Sequence, residues 1–416
     1  MNKQSFWQSG HKPTLFGAFL YFDISFMIWG MIGPLSVVIA NDYPMDPLQK
    51  ANLVALPVLG GSLLRLVLGF MSDYIGPKLT GQIGMLVTLI PLLLGWVWVD
   101  SLEQLYMVVL LLGVAGASFA AALPLVSQWY PKEHQGLAMG IAAAGNSGTV
   151  LATLFDNRLA QYFGSWEAVF GLAILPILIV FILFSVFARN SPHRPAPKRL
   201  SQYASVLKQG DAWVFCAFYG VTFGGFVGLS NYLTIFFNTQ YGLSAVHAAD
   251  FATVCVIAGS FFRPVGGFLS DQIGGSRMLT YLYAGASMMF AGIAFLPPLA
   301  LVVVLLFAGM MCLGAGNGSV FQLVPQRFGN EIGLMTGIIG AAGGIGGCFL
   351  PLILGHLYKL TGSYMPGFIS LSLITFCAFV LVIIMQLKWR TSWMRPTVPA
   401  VDETTRRIGE LKVDVH

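Results

Sequence analysis

Long apolar runs separated by short polar breaks fill the chain from about residue 14 to residue 388. A helix needs about 20 apolar residues to cross the hydrocarbon of a bilayer. The runs predict twelve such helices, with approximate limits 14–40, 51–72, 79–98, 103–129, 135–163, 168–188, 211–237, 247–269, 278–297, 299–326, 332–358 and 366–388. Only Pro297 and Pro298 divide the ninth from the tenth. The runs are continuous and do not alternate apolar with polar positions, which selects helices over a β-barrel. The first run is too long for the apolar part of a signal peptide and is expected to remain as a span.

Composition narrows the class. Of 416 residues, 56% are hydrophobic and 9% charged. A soluble domain carries about a quarter charged residues, and a disordered chain is poor in apolar ones. An all-α polytopic membrane protein remains. Cys216, Cys255, Cys312, Cys348 and Cys377 are scattered through apolar runs without metal-ligand spacing, and are expected to be buried free thiols. Nothing in the sequence asks for a cofactor or a metal.

The net charge of +5 matters through its placement. Lys78, Lys132, Arg189, Lys208, Arg277 and Arg327 fall in loops on the same side as the two termini, together with Arg194, Lys198 and Arg199 and a basic C-terminal tail. The opposite loops carry only Lys50, Arg158 and Lys359. The asymmetry predicts cytoplasmic termini and a multi-pass protein of the inner (plasma) membrane. The basic, proline-rich stretch near 189–210 predicts a linker between six-helix bundles at 1–188 and 211–388, with a tail at 389–416. It reads as a solvated segment near anionic lipid rather than a nucleic-acid site.

The two halves repeat one another. GSLLRLVLGFMSDYIG from Gly61 and GSFFRPVGGFLSDQIG from Gly259 share ten of sixteen positions. Parallel six-helix repeats with substrate between them are the plan of the major facilitator superfamily. The chain resembles that superfamily through its loop motif, present as Gly69, Asp73, Gly76 and Lys78, and again as Gly267, Asp271, Gly274 and, one residue late, Arg277. The resemblance implies a gating role for Asp73, Lys78, Asp271 and Arg277. A solvated turn is the alternative.

Arg65 and Arg263 are the two basic residues deep inside spans, at equivalent places in the second and eighth. An arginine in hydrocarbon costs at least about 2.5 kcal/mol on insertion scales. Each lies eight residues from the Asp that marks its span's end, too deep to snorkel. Neither has a carboxylate near it in its span. Two such cations at one depth call for an anion, and a planar guanidinium suits a flat oxyanion. Separate bonds to backbone carbonyls are the alternative.

Glycine-rich spans complete the pattern. Gly136, Gly140, Ala144 and Gly148 recur every four residues, and Gly333, Gly337, Gly340, Gly344 and Gly347 share one helical face, so close helix approach is expected. AMGIAAAGNSG and GIIGAAGGIGG resemble the paired signatures of the nitrate/nitrite porter family. The seventh-span pattern Tyr219, Thr222, Phe223, Gly224, Phe226 and Gly228 resembles that family too.

The resemblance implies that Arg65 and Arg263 clamp nitrate or nitrite. It further implies an amide from Asn146, a hydroxyl from Tyr219, walls of Phe119, Phe223 and Phe321, and small residues Gly145, Gly343 and Gly344 along the site. Interhelical bonding by Asn146 and plain core packing by the phenylalanines stay open.

The expected mechanism is alternating access by a transporter that acts as a monomer. Two like charges in one cavity disfavour return of the unloaded protein, which favours nitrate/nitrite exchange. Asp23, inside the first span, is either a proton carrier for nitrate–proton symport or a local cap. A proton-coupled antiporter of another solute is the rival, and it predicts acidic residues in a large apolar cavity. No HExxH, GxSxG or phosphate loop supports an enzyme.

Overall fold

The computed structural model describes residues 6–192, 206–328 and 332–392. Most of the expected linker and tail lies outside the described residues. The described chain is a bundle of long helices that run alternately between two ends. We number the spans α1 (Lys12–Asp42), α2 (Pro47–Tyr74), α3 (Pro77–Val97), α4 (Leu102–Ser127) and α6 (Glu167–Phe187). Span α5 has three pieces, Lys132–Ala143, Ala144–Ser147 and Gly148–Phe163. The second half contains α7 (Gly210–Tyr241), α8 (Ala245–Ile273), α9 (Gly275–Ala294), α10 (Leu299–Arg327), α11 (Ile332–Thr361) and α12 (Met365–Ser392). The expected positions hold to within a few residues.

Local chemistry sets the helix ends. Asp46 caps α2 in a reciprocal box with Gln49, Ser101 caps α4 and Ser244 caps α8. Val97, Leu175, Phe268 and Leu387 stand exposed on the outer faces, where lipid rather than water is the solvent. Cys377 shares that exposure on α12, unlike the buried Cys216, Cys255 and Cys348.

Eleven of these helices are apolar enough over a full window to count as spans by composition, and α9 is not. Its polar groups are taken up by neighbours instead. Gln386 of α12 donates to Ser276 O and Thr280 Oγ1, both at 2.7 Å. Ser287 pairs with Ser372, and Tyr283 donates to Phe218 O on α7 at 2.9 Å.

Three spans predicted as continuous are broken. In α1 the break falls at Met31, because Pro34 cannot donate to Gly30 O and its ring crowds that carbonyl. In α4 it falls at Ala117–Ser118, where Ala120 N turns to Ala117 O and releases Gly116 O. In α5 a 3-10 turn, Ala144–Ser147, interrupts the helix at Asn146.

Span α11 lies between α7 and α2. A side chain at Gly344 would strike Ser62, and one at Gly347 would crowd Val58. On the other side, Gly343 lies against Tyr219, and Gly346 against the Gly220 backbone. In α5, Gly148 packs on Asp23 and Met27 of α1, but Gly140 has no neighbour within 4 Å. The expected α5 stripe therefore packs along only part of its length, the break having turned its two ends differently.

The halves meet firmly at the end away from the termini. Arg158 pairs with Asp250 at 2.7 Å, and Lys359 with Asp46 at 2.9 Å. Asn157 Nδ2 donates to Ala245 O at 3.0 Å.

The repeated loop motif forms the same turn twice. Gly76 and Gly274 have φ of 99° and 92°, a region closed to residues with a Cβ. Nothing lies within 4 Å of a Cβ added at Gly274, so a substitution there meets backbone strain alone. Gly274→Ala is expected to cost about 1–3 kcal/mol and to lower the melting temperature in detergent. An unchanged melting temperature would remove the strain argument.

Candidate functional site

Arg65 is 1% exposed at the middle of α2, with its cost of burial met from four helices. Its Nε donates to Gly116 O at 3.0 Å, the carbonyl released by the break in α4. Its Nη1 donates to Gly340 O of α11 at 2.6 Å. Hydrogen bonds from a charged donor contribute about 1.5–3 kcal/mol each. The guanidinium also lies over Trp29, Phe119 and Phe223, at 5.3, 5.5 and 5.0 Å from the ring centroids. Trp29 is fixed in turn by donating Nε1–H to Pro57 O at 2.7 Å. After all this, Nη2 is buried without a partner.

Arg263, 7% exposed on α8, faces the same group of rings. Its Nη2 lies 3.4 Å from the Tyr219 hydroxyl, and its Nη1 is buried without a partner. The guanidinium sits 5.8 Å from the Phe321 centroid. Tyr219 stacks on Phe223 at 4.9 Å and meets Phe321 edge-on at 5.0 Å, while Phe321 lies 6.0 Å from Phe119. The structure thus gathers Arg65, Arg263, Tyr219, Phe119, Phe223 and Phe321 around one aromatic box, with Gly343 packed against Tyr219 and Phe223.

The bonds of the two arginines differ. Arg65 does bond backbone carbonyls, as the alternative required, and spends two of its three nitrogens on them. A two-nitrogen fork is therefore not what Arg65 presents. Arg65 presents one nitrogen, held still by the other two, and Arg263 presents one.

Asn146 is wholly buried in the 3-10 turn of α5, and neither its Oδ1 nor its Nδ2 has a partner. Its backbone carbonyl receives Thr149 Oγ1 at 2.7 Å and Ser260 Oγ of α8 at 3.5 Å. Ser260 is one turn from Arg263, so the turn of α5 sits at the arginine level. Gly145 and Gly344 serve the packing of helices around this box. Gly145 makes room for Asp23 and Phe22 of α1, and Gly344 for Ser62 of α2.

Asp23 is half-buried, and its Oδ1 accepts from Ser147 Oγ at 2.6 Å. It also accepts from the Gly148 backbone, so it serves the restart of α5 as a cap supplied by another helix.

The loop residues lie at the terminus-bearing end, apart from the box. Lys78 Nζ donates to Ser185 O at 2.8 Å, and its backbone N–H to Asn190 Oδ1, tying α3 to the end of α6. Asp271 and Arg277 are exposed.

Three residues escaped the sequence reading. Trp29 supplies a face to Arg65. Asp156 is 5% exposed in α5 with Oδ2 unpartnered, nearer the Arg158–Asp250 pair. Asn317 of α10 is fully buried with both side-chain atoms unpartnered. A signal for the last existed. AGNGS at 315–319 mirrors AGNSG at 144–148, each placing an amide among small residues within an apolar span.

Comparison with known proteins bears on this arrangement. Residues 17–351 match the family model described as Major Facilitator Superfamily. The chain is 32% identical over 366 residues to a "Nitrite extrusion protein" of Bacillus subtilis (strain 168), covering 88% of this chain and 92% of that one. It is 34% identical over 361 residues to "Probable nitrate/nitrite transporter NarK2" of Mycobacterium tuberculosis (strain CDC 1551 / Oshkosh), covering 84% and 90%. Among solved structures, a bacterial homolog of the human lysosomal transporter Spinster, crystallised in an inward-facing and occupied conformation, superposes with a TM-score of 0.70. At 17% identity, covering 92% of this chain and 98% of that one, it shares the fold.

Proposed function

We propose that this chain, which belongs to the nitrate/nitrite porter family of the Major Facilitator Superfamily, holds nitrate or nitrite between Arg65 and Arg263 and carries it across the membrane by alternating access. It is a membrane transporter and not an enzyme. The observation that carries the reading is the pair of spare donors, Arg65 Nη2 and Arg263 Nη1, each buried without a partner beside the same rings. A small flat anion answers both donors and fits among the faces of Phe119, Phe223 and Phe321. Asn146 and Tyr219 add neutral donors. No acidic residue belongs to this group, which speaks against a proton-coupled drug antiporter.

Charge supports exchange as the mode. The two guanidiniums repel across a dry interior, and an anion lowers their combined charge and bridges the halves. The loaded protein then converts between its two orientations more readily than the unloaded one. Asp23 is occupied with Ser147 and Gly148, a capping task that a proton carrier would have to abandon each cycle. The basic excess near the termini supports placing them in the cytoplasm, with the bacterial plasma membrane as the site of action. The end sealed by Arg158–Asp250 and Lys359–Asp46 then faces outward. In this reading Lys78 fastens α3 to α6 so that the first half rocks as one body. Asp73, Asp271 and Arg277 lie at the end that opens and closes inward.

Arg65→Lys keeps the charge but cannot hold two carbonyls and an anion together. It is expected to cut nitrate uptake by proteoliposomes at least about ten-fold, judged from the loss of two charged hydrogen bonds. Uptake within two-fold of the parent would reject the clamp. Nitrite-loaded liposomes are expected to take up nitrate equally with and without a pH gradient. A strict need for inward proton flow would replace exchange by symport.

The Lys359 ammonium beside Asp46 holds its carboxyl below the usual carboxylate range, helped by the Gln49 and Leu48 backbone N–H groups. A lowered pKa means that the pair favours the closed end at neutral pH and loses this as pH falls through that pKa. The pair is partly exposed, so screening keeps the effect small. Spin labels at Tyr162→Cys and Leu360→Cys are expected to report longer separations in Asp46→Asn, and in the parent at acid pH. Unchanged distances in both would show that the pair does not hold this end shut.

A further inference from the structure

We infer that Asn317 is a second amide donor to the transported anion, and the group that favours the three-oxygen anion nitrate over the two-oxygen nitrite. The inference rests on the anion site proposed above.

Burying an amide with no partner costs about 1–3 kcal/mol in a protein, so native interiors satisfy nearly all of them. Asn157 and Asn231 meet that rule halfway: their Nδ2 atoms donate to Ala245 O and Val227 O, and only Oδ1 is left without a partner. The chain departs from it at Asn146 and Asn317. Both are 0% exposed, and at each both Oδ1 and Nδ2 lack partners. Of the two, Asn146 already belongs to the site.

Packing puts Asn317 at the same level. A side chain at Gly314 would collide with the backbone of Gly259, and one at Gly318 with that of Arg263. These glycines press α10 against the turn of α8 that runs from Gly259 to Arg263, with Asn317 between them. On the other flank of that turn, Ser260 reaches the Asn146 carbonyl of α5. Four residues on from Asn317, on the same face of α10, Phe321 meets Arg263, Tyr219 and Phe119. The face that carries Asn317 is therefore the face that builds the box.

Among the described residues, the spare buried nitrogen donors are Arg65 Nη2 and Asn146 Nδ2 from the first half, and Arg263 Nη1 and Asn317 Nδ2 from the second. Nitrate has three oxygens set 120° apart in one plane. It can meet donors approaching from three or more directions, whereas nitrite offers oxygens on two sides only. Losing Asn317 should thus weaken nitrate more than nitrite.

The test uses the full chain in proteoliposomes, with nitrate and nitrite as probes. Asn317→Leu keeps the approximate volume and removes the donor. Asn317→Ser keeps a shorter donor and guards against a variant that fails to fold. For Asn317→Leu we expect the nitrate KM to rise at least ten-fold and the nitrite KM less than two-fold, with Asn317→Ser between parent and Leu. A nitrate-to-nitrite KM ratio within two-fold of the parent in both variants would overturn the role, including the case where both anions weaken equally through packing. If the parent itself binds neither anion, the anion site fails first and this inference falls with it.

Discussion

A guanidinium in the middle of a bilayer has to find an answer for each of its N–H groups, and Arg65 finds most of them in broken and glycine-rich backbone. Helix α4 gives up a hydrogen bond of its own at Gly116 to supply one acceptor. Helix α11 supplies the other at Gly340, and can come near enough to do so because it carries no side chains where α2 presses on it. Trp29, itself anchored to α2, closes over the charge. The breaks, the glycines and the buried tryptophan are thus parts of one solution. The arginine is fixed by its surroundings, so for the proposed anion little ordering would remain for binding to accomplish.

The Arg65–Gly340 bond also joins the two halves at mid-depth. Further out, joining falls to Asn157 with Ala245 and to the pairs Arg158–Asp250 and Lys359–Asp46. The outermost contacts are ionic and partly exposed, hence individually weak. The inner ones are dry and geometrically strict. A seal of this grading is loosest at its rim and strictest at its centre, the grading that the proposed rocking motion would use.

Much of this was legible in the residues. Spans of twenty or more apolar positions announce themselves, and the matching stretches from Gly61 and Gly259 disclose the doubled plan, which reappears as paired positive-φ turns at Gly76 and Gly274. Arg65 and Arg263 stood out because charge inside such a run is rare. Less visible was how each would be satisfied, since that depends on a carbonyl freed 51 residues away along the chain. The break in α4 has no proline at the right distance to foretell it, whereas Pro34 could have warned of the one in α1. Gly140 carried the same spacing signal as Gly148 yet faces open space, because spacing defines a stripe and not what lies against it. Asn317 was passed over because one amide among glycines looks unremarkable until both of its side-chain atoms are seen to lack partners.

The modest polarity of α9 bears on how the molecule is made. Ser276, Thr280 and Ser287 find their partners on α12, the last span to leave the ribosome. Its apolar side packs along α10, where Gly309 lies against Phe290, and Tyr283 ties it to α7, but its serines and threonine wait for α12. The polar face of α9 is thus satisfied by a segment far along the chain, so its place in lipid depends on α12 lying beside it.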